Sequence, residues 1–282
     1  MSNILIVGCG DIGYRLATTL QQRGHAVTGL KRRAFDVRPP FESFLADIRE
    51  PASLQGLAFD FDTVVFIVSP DGRDAASYQV LFHDGLKNVL EHFAQSSRSP
   101  YFLMVSSTSV YGQQHGEWVD ESSPTEPDTA TARCLVAAER LLWQQDAAHC
   151  VVRFSGIYGP GRTWLLRRAA SDEAIQQSPP SYTNRIHAED CVGVLLFLLE
   201  KHWAGTPLQA CYLASDDDPA SLWEVMIWLK QRMGRLPPQA LPHNDCAPQN
   251  KRCNNARLKA LGYCFLYPSY QTGYDALLKE FR

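Results

Sequence analysis

Short apolar runs alternate with stretches in which apolar residues recur every three or four positions over the first half of the chain. The stripe of Ile12, Leu16 and Leu20 predicts an amphipathic helix directly after the first run. Strands that are apolar throughout and alternate with helices are typical of a parallel sheet covered on both faces. The predicted strands are Ile4–Val7, Ala26–Leu30, Phe44–Ala46, Thr63–Val68, Tyr101–Val105 and Cys150–Phe154. Further helices are predicted at Val80–Phe93, Cys134–Leu142, Ala188–Lys201 and Ser221–Met233.

The pattern changes after residue 156. Gly156–Arg162 and Gln177–Arg185 have the composition of loops, and Pro237–Asn255 is rich in Pro, Asn and Gln. We therefore predict an α/β protein with a doubly wound parallel sheet and a smaller C-terminal substrate lobe. The predicted sheet domain spans residues 1–158, with 186–204 returning to it, and the lobe comprises 159–185 and 205–282.

A glycine-rich turn, GCGDIG, joins the first predicted strand to the first predicted helix. In a G-x-G-x-x-G turn the three glycines serve a tight turn, close approach of the backbone to a pyrophosphate, and close packing of helix on strand. A pyrophosphate would bind the exposed amides of the helix N-terminus. The alternative is a strand–turn–helix with incidental glycines. The pattern predicts a Rossmann fold with Gly8, Gly10, Asp11, Ile12 and Gly13 at a dinucleotide.

Basic residues follow the second predicted strand, where an acid usually binds the adenosine ribose. Lys31, Arg32 and Arg33 occupy this place, and the first acid is Asp36. Basic side chains suit a 2′-phosphate, so we expect NADP(H) to be preferred over NAD(H), the alternative being a solvated basic turn. Asp47, after the third predicted strand, is a candidate for contacting the adenine or for capping a helix.

Composition excludes several classes of protein. Apolar residues make up 45% and charged residues 20% of the 282, and the formal net charge is −3, which argues against a nucleic-acid surface. The apolar run 192–199 is too short to span a bilayer, and no signal-peptide pattern begins the chain, so we expect a cytoplasmic protein. The 8 cysteines show no C-x-x-C spacing, so we expect reduced thiols and no metal site.

The chain resembles the extended branch of the short-chain dehydrogenase/reductase superfamily, the NAD(P)-dependent epimerases and dehydratases. The motifs that show this resemblance are GCGDIG at 8–13, ADI at 46–48, VVFIVSP at 64–70, VSSTSVYG at 105–112, VVRFSGIYGPGR at 151–162 and NRIHAEDCV at 184–192. The resemblance implies a nicotinamide dinucleotide, and it adds Ile48, Val68, Ser69 and Ser106 to the cofactor site.

The resemblance also implies catalytic positions. Ser107 matches the hydroxyl residue that bonds the reacting oxygen in such relatives. Their Tyr-x-x-x-Lys pair, which transfers a proton, aligns here with Thr131 and Leu135, because Pro127 and Glu139 fix the register. The usual acid–base pair is therefore expected to be replaced.

Other residues are weighed as substitutes or as structural residues. Tyr111 is the second catalytic candidate, although packing of its loop is the alternative. Asp190 is expected to serve the first turn of its helix. A substrate-phosphate role and a solvated or ion-paired role stay open for Arg153 and Arg185. Nicotinamide-side candidates with a packing alternative are Tyr78, Tyr158 and His187, and the residues expected to pack are Trp143, Trp164, Trp223 and Trp228.

Two functional hypotheses follow. The first is an NAD(P)-binding oxidoreductase or epimerase that acts on a sugar-like or nucleotide-linked small molecule. The second is a non-catalytic sensor or scaffold that binds the dinucleotide and has lost the Tyr/Lys pair. A homodimer is left open, and neither nucleic acid nor a membrane is expected as a partner.

Overall fold

A computed structural model describes residues 1–96, 98–145, 148–241 and 250–280. It divides into two compact units. The first comprises residues 1–110, 127–153 and 192–211, and the second comprises 111–126, 154–191 and 212–282. The predicted division at residue 158 stays a prediction.

The main sheet has seven parallel strands in the order β3-β2-β1-β4-β5-β7-β10. This doubly wound sheet confirms the predicted fold class. The strands are β1 Asn3–Val7, β2 Ala26–Lys31, β3 Glu42–Leu45, β4 Thr63–Phe66, β5 Tyr101–Ser107, β7 Cys150–Phe154 and β10 Cys211–Ala214. The sequence places β6 between β5 and β7, at Glu117–Val119, and this strand belongs to a separate small sheet.

Helices follow the strands of the first unit. They are α1 Asp11–Gln22, α2 Ala75–Tyr78, α3 Gly85–Phe93 and α4 Ala130–Trp143. A π-helical segment, Gln79–Asp84, joins α2 to α3, so the predicted helix Val80–Phe93 is longer and irregular. The stripe predicted for α1 is confirmed, because its three members are buried against the sheet.

Strand boundaries differ from the prediction at β3, β4 and β5. β3 lies at the sheet edge and is largely exposed, so its apolar pattern is weak and the strand ends before Ala46. β4 ends at Phe66, two residues early, because Val68 leaves the sheet to line a pocket. β5 continues through Ser107.

The second unit contains two small parallel sheets. β8 Gly156–Tyr158 pairs with β9 Arg185–His187, and β6 pairs with β11 Lys251–Cys253. The loop predictions are therefore wrong at these strands, which are three residues long and too short to show a period. The remaining helices are α5 Trp164–Ala170, α6 Ala188–Trp203, which continues into the first unit, α7 Leu222–Arg232, α8 Ala256–Ala260 and α9 Tyr270–Glu280.

The described cysteines are free thiols, and Cys246 lies outside the described residues. Within the described part of the chain, no group of His, Cys, Asp and Glu is placed to hold a metal ion. In the same part of the chain, no helix is both long and apolar enough to cross a membrane.

A buried ion pair joins α4 to β7 in the first unit. Arg153 donates from Nε and Nη2 to the two oxygens of Glu139, at 3.0 and 2.6 Å. The two side chains are 3% and 1% exposed. Of the roles left open for Arg153, the structure shows the ion-paired one.

Replacing Glu139 with alanine should lower the free energy of unfolding by about 3–5 kcal/mol, because the Arg153 charge would remain buried without its partner. Urea denaturation followed by circular dichroism measures this loss. The control is Glu91→Ala, which removes an exposed pair with Lys87 at 3.6 Å and should cost about 0.5 kcal/mol or less. Similar losses in both variants would contradict the structural role of the buried pair.

Candidate functional site

A pocket of about 280 Å³ opens at the carboxyl ends of β1, β2, β3 and β4. The strand order reverses between β1 and β4, since β2 and β3 lie on one side and β5 on the other. Ligands of doubly wound sheets bind at this reversal, where adjacent connections leave the sheet in opposite directions. The pocket therefore lies where the topology favours a ligand.

The three glycines of the turn between β1 and α1 meet different surroundings. Gly8 has a φ of 91°, and a Cβ there would lie 2.1 Å from the carbonyl oxygen of Ile67. A Cβ on Gly13 would lie 2.6 Å from the carbonyl oxygen of Gly8. A Cβ on Gly10 would meet nothing within 4 Å. Gly8 and Gly13 thus allow the backbone to pack, whereas Gly10 leaves open space at the pocket.

The N-terminus of α1 is suited to an anion. Gly10 is the N-cap residue, and no side chain caps the helix. The first amides of a helix have no partner within it, and the helix dipole places partial positive charge there. These amides and the open space at Gly10 fit a pyrophosphate. The residues present therefore fit a dinucleotide.

Two carboxylates that line the pocket, Asp71 and Asp47, are each paired with an arginine. Arg32 forms a bidentate ion pair with Asp71, both distances being 2.7 Å. Arg49 bonds Asp47 through Nε at 2.8 Å. Hydrogen bonds from these guanidinium groups lower the pKa of Asp71 and of Asp47, so both acids are ionised at neutral pH.

Positive charge remains in excess in this pocket. Lys31, Arg32 and Arg33 line it against two carboxylates, and one of these, Asp47, is paired with Arg49. The Lys31 ammonium lies 4.2 Å from the centroid of the Phe35 ring. An additional anion would therefore meet an attractive field.

Most of the predicted cofactor residues line this pocket, namely Gly8, Gly10, Lys31, Arg32, Arg33, Asp47, Ile48, Val68 and Ser69. Four others do not. Asp11 pairs with Arg15 at 2.8 Å, Ile12 and Gly13 are buried in α1, and Ser106 is buried in β5. They form the framework of the turn and of the strand rather than the pocket surface.

Sequence reasoning missed several lining residues. Asp71 is 39 positions from its partner Arg32, and no spacing rule connects them. Leu81 reaches the pocket from the π-helical segment, a type of segment common at functional sites. Cys9 also lines the pocket, and its place inside the glycine turn could have indicated this. Burial raises the pKa of its thiol to about 12, so its side chain is a neutral part of the pocket wall.

Ser107 lies at the end of β5, which pairs with β4 from Thr63 to Phe66. Its hydroxyl oxygen accepts a hydrogen bond from the Ser109 amide at 3.1 Å. The Ser106 hydroxyl is buried and has no hydrogen-bond partner among the described residues. Ser107 is therefore at the carboxyl edge of the sheet, one strand beyond β4.

The positions aligned with the Tyr/Lys pair lie in α4, which packs against β5. Thr131 is in its first turn, next to Thr129, whose side chain accepts a hydrogen bond from the Ala132 amide at 3.3 Å. Leu135 is 3% exposed. Neither position supplies a phenol or an ammonium group.

The tyrosine and histidine candidates are engaged in packing. Tyr111 is 1% exposed, and burial of this degree favours packing over proton transfer. The Tyr158 ring stacks on Tyr274 at 4.6 Å between centroids, and His187 contacts Tyr158 at 5.1 Å. Tyr78 contacts Phe82 in the helical segment of the first unit at 5.5 Å.

Asp190 does more than serve the first turn of α6. It is fully buried, and its carboxylate accepts hydrogen bonds from the Tyr263 hydroxyl at 2.9 Å and from the amides of Leu266 and Tyr267 at 2.8 and 2.9 Å. The sequence did not indicate this role, because the donors lie more than seventy residues away. Asp190 fixes the segment 263–267.

The predicted packing role holds for two of the four tryptophans. Trp223 and Trp228 pack against the core of the second unit. Trp164 is 68% exposed, so its packing prediction is wrong. Trp143 is 37% exposed and donates from its indole nitrogen to the carbonyl of Ala210 at 3.2 Å.

Comparisons with known proteins show the family. The profile of the NAD dependent epimerase/dehydratase family matches residues 4–210. A solved structure from Methylobacillus flagellatus, described as an NAD-dependent epimerase/dehydratase, is 35% identical with a TM-score of 0.83, over 100% of this chain and 99% of the other. The chain belongs to the NAD-dependent epimerase/dehydratase family.

Two other relatives extend the comparison. A 3-diazoavenalumate denitrifying reductase of a Streptomyces species is 25% identical over 96% of this chain and 98% of its own length. The NAD-bound dTDP-glucose 4,6-dehydratase of Bacillus anthracis is 15% identical with a TM-score of 0.78, over 100% of this chain and 96% of the other, and shares the fold.

The protein is accordingly an NAD(P)-binding oxidoreductase or epimerase of this family. A nicotinamide dinucleotide is its cofactor and a small molecule its substrate. The alternative hypothesis of a non-catalytic sensor or scaffold is not favoured.

Gly10→Val should abolish dinucleotide binding and leave the protein folded, because the new side chain fills the open space at the helix N-terminus. Calorimetric titration with NADPH and circular dichroism measure the two properties. Gly13→Val is the matched variant in the same turn, and it should destabilise the fold because its Cβ meets the backbone of Gly8. Undiminished binding by folded Gly10→Val would remove the glycine turn from the site.

Proposed function

We propose that the protein is an NADP(H)-dependent oxidoreductase that acts on a hydroxyl or carbonyl group of a sugar-like or nucleotide-linked small molecule. The observation that supports NADP(H) is the excess of cations at the ribose end of the pocket. Here Lys31 ends β2 and is followed by Arg32 and Arg33, at the place where an acid would exclude a 2′-phosphate by repulsion.

Arg33 is the residue on which this preference depends most. It is exposed, and no described residue forms an ion pair with it. Arg32 is instead held by the exposed Asp71. Water and salt screen such a surface pair strongly, so a 2′-phosphate can compete for Arg32. We infer that the phosphate displaces Asp71 and is held by both arginines.

NADPH should bind about ten- to a hundredfold more tightly than NADH, the factor that about 1.5–3 kcal/mol of charge-assisted bonding to arginine gives. Calorimetry with both cofactors measures it. The double variant Arg32→Ala/Arg33→Ala should lose the preference, whereas Asp71→Asn should increase it, because Arg32 is released. Equal affinities in the wild type, or an unchanged preference in the double variant, would contradict the assignment.

We propose Ser107 as a catalytic residue that hydrogen-bonds the reacting oxygen of the substrate. A bound nicotinamide supplies or accepts hydride. Serine alone is a poor proton donor, because efficient acid–base catalysis needs a pKa near the working pH. Since Thr131 and Leu135 contribute no such group, we infer slow turnover of standard epimerase and dehydratase substrates.

Ser107→Ala should lower kcat about ten- to a hundredfold, the effect of losing one strong hydrogen bond in the transition state, and leave NADPH affinity unchanged. A panel of nucleotide sugars and simple carbonyl compounds, followed by NADPH absorbance, provides the assay. Ser109→Ala is the control, since the hydrogen bond to Ser107 comes from its backbone amide.

Equal losses in the two serine variants would remove Ser107 from catalysis. A loss in Tyr111→Phe as large as that in Ser107→Ala would assign proton transfer to Tyr111. A wild-type protein that binds NADPH and turns over no member of the panel would support the non-catalytic hypothesis.

Location and assembly belong to the same proposal. Six of the described cysteines are buried free thiols, which is typical of a reducing compartment such as the cytoplasm. A net charge of −3 supports a protein without a nucleic-acid partner. A homodimer is left open.

A further inference from the structure

The first unit contains a pocket of about 670 Å³ at the opposite edge of the main sheet from the cofactor pocket. It opens where β5 and β7 begin, beside the loop that leads from α6 to β10. Its wall includes Tyr101, Trp143, His149 and His202. The cofactor and the proposed reaction use none of these side chains, so the pocket needs an explanation of its own.

Charged side chains are missing from the described wall of this pocket. None of the described lining residues is an aspartate, glutamate, lysine or arginine. Burial lowers the pKa of His202, and burial together with His202 lowers the pKa of His149 to about 4. Both imidazoles are therefore neutral near pH 7. A charged ligand would lose its hydration and meet no opposite charge on this wall, so the pocket favours a neutral one.

Aromatic rings form a large part of the wall. The His202 ring stacks on the Tyr101 ring, with 3.6 Å between centroids and 13° between planes. Trp143 is 37% exposed, and the bond from its indole nitrogen to the carbonyl of Ala210 fixes its orientation. Flat rings held in this way offer faces and edges against which another ring can pack. The wall therefore favours a planar aromatic ligand.

His149 supplies a hydrogen-bond donor to the pocket. It is 5% exposed, and its Nδ1 atom accepts a hydrogen bond from the amide of Phe102 at 3.2 Å. A neutral imidazole whose Nδ1 accepts carries its proton on Nε2.

The Nε2 atom of His149 has no hydrogen-bond partner among the described residues, and it does not belong to the unpartnered polar atoms that are wholly inaccessible. Leaving such a donor without an acceptor costs free energy. A ligand with a ring nitrogen or a carbonyl oxygen would supply the acceptor.

We propose that this pocket binds a neutral, planar heteroaromatic molecule of about the size of a nucleobase, which packs on the aromatic rings of the wall and accepts a hydrogen bond from Nε2 of His149. The volume and the lining, mostly apolar with a few fixed polar groups, are those of small-molecule sites. This site is separate from the cofactor pocket and does not depend on the proposed oxidoreductase function.

The test is calorimetric titration of the full-length protein, slightly above neutral pH, with benzimidazole, indole and benzimidazole-5-carboxylate. Benzimidazole and indole share one bicyclic shape, but only benzimidazole has a ring nitrogen that accepts a hydrogen bond. Benzimidazole should bind with a dissociation constant of about 1 mM or below. Indole should bind about fivefold more weakly for lack of the acceptor, and the carboxylate about tenfold more weakly because of its charge.

Each titration is repeated in excess NADPH, because a heterocycle could also enter the adenine end of the cofactor pocket. Binding at the proposed site should persist when NADPH is present. Loss of benzimidazole binding in NADPH would place the ligand in the cofactor pocket and overturn the proposal.

Variants of the wall separate the hydrogen bond from the packing. His149→Asn keeps an acceptor for the amide of Phe102 and removes the Nε2 donor, so it should weaken benzimidazole about five- to tenfold and indole by about twofold or less. Trp143→Ala should weaken both ligands about three- to tenfold. The control is Trp118→Ala, which removes another exposed tryptophan, 55% exposed and outside the pocket, and should have no effect.

Three further results would overturn the proposal. The first is the absence of benzimidazole binding at concentrations up to about 10 mM. The second is binding that neither His149→Asn nor Trp143→Ala weakens. The third is binding of indole or of the carboxylate as tight as that of benzimidazole.

Discussion

The close approach of α1 to the ends of β1 and β4 is the constraint on which the site depends. A side chain at Gly8 would overlap the carbonyl of Ile67, and one at Gly13 would overlap the carbonyl of Gly8. The backbone can therefore turn from strand to helix within a few residues. The helix N-terminus and the carboxyl ends of the first strands then lie around one pocket. Without this packing, the amides and the basic residues after β2 would not face the same ligand.

Protein carboxylates neutralise part of the positive charge around the cofactor pocket. Asp71 and Asp47 bind Arg32 and Arg49, and their lowered pKa keeps them ionised. These exposed pairs are weak because water competes for both partners. They orient the arginines without making them unavailable to a ligand.

In the second unit, polar groups such as Asp190 are buried, so hydrogen bonds within the protein replace their contacts with water. Asp190 gains three donors from one short segment, and that bonding compensates for its loss of solvent. Tyr158 approaches α9 closely because Gly273 has no side chain; a Cβ there would lie 1.9 Å from the Tyr158 hydroxyl oxygen. Tyr158 therefore packs densely against α9, and it also lines the pocket of the second unit that contains four arginines.

Six of the seven strands of the main sheet could be predicted from their apolar runs, since burial on both faces requires that pattern. The seventh, β10, was not predicted, although its four residues are buried. β3, the exposed edge strand, begins two residues and ends one residue before its predicted bounds. Strands of three residues, such as β8 and β6, were missed because they are too short to have a period. Their existence depends on pairing with segments far away in the chain.

By itself the sequence determined the fold class, the glycine turn and the basic residues after β2, because these follow from local order: a strand, a turn and a helix that are adjacent in the chain. Only the tertiary structure decided that Arg32 is held by Asp71, that Asp190 binds the segment 263–267, and that four arginines line one pocket. The physical reason is that these contacts join residues with no fixed spacing, and the packing of the elements alone determines which side chains meet.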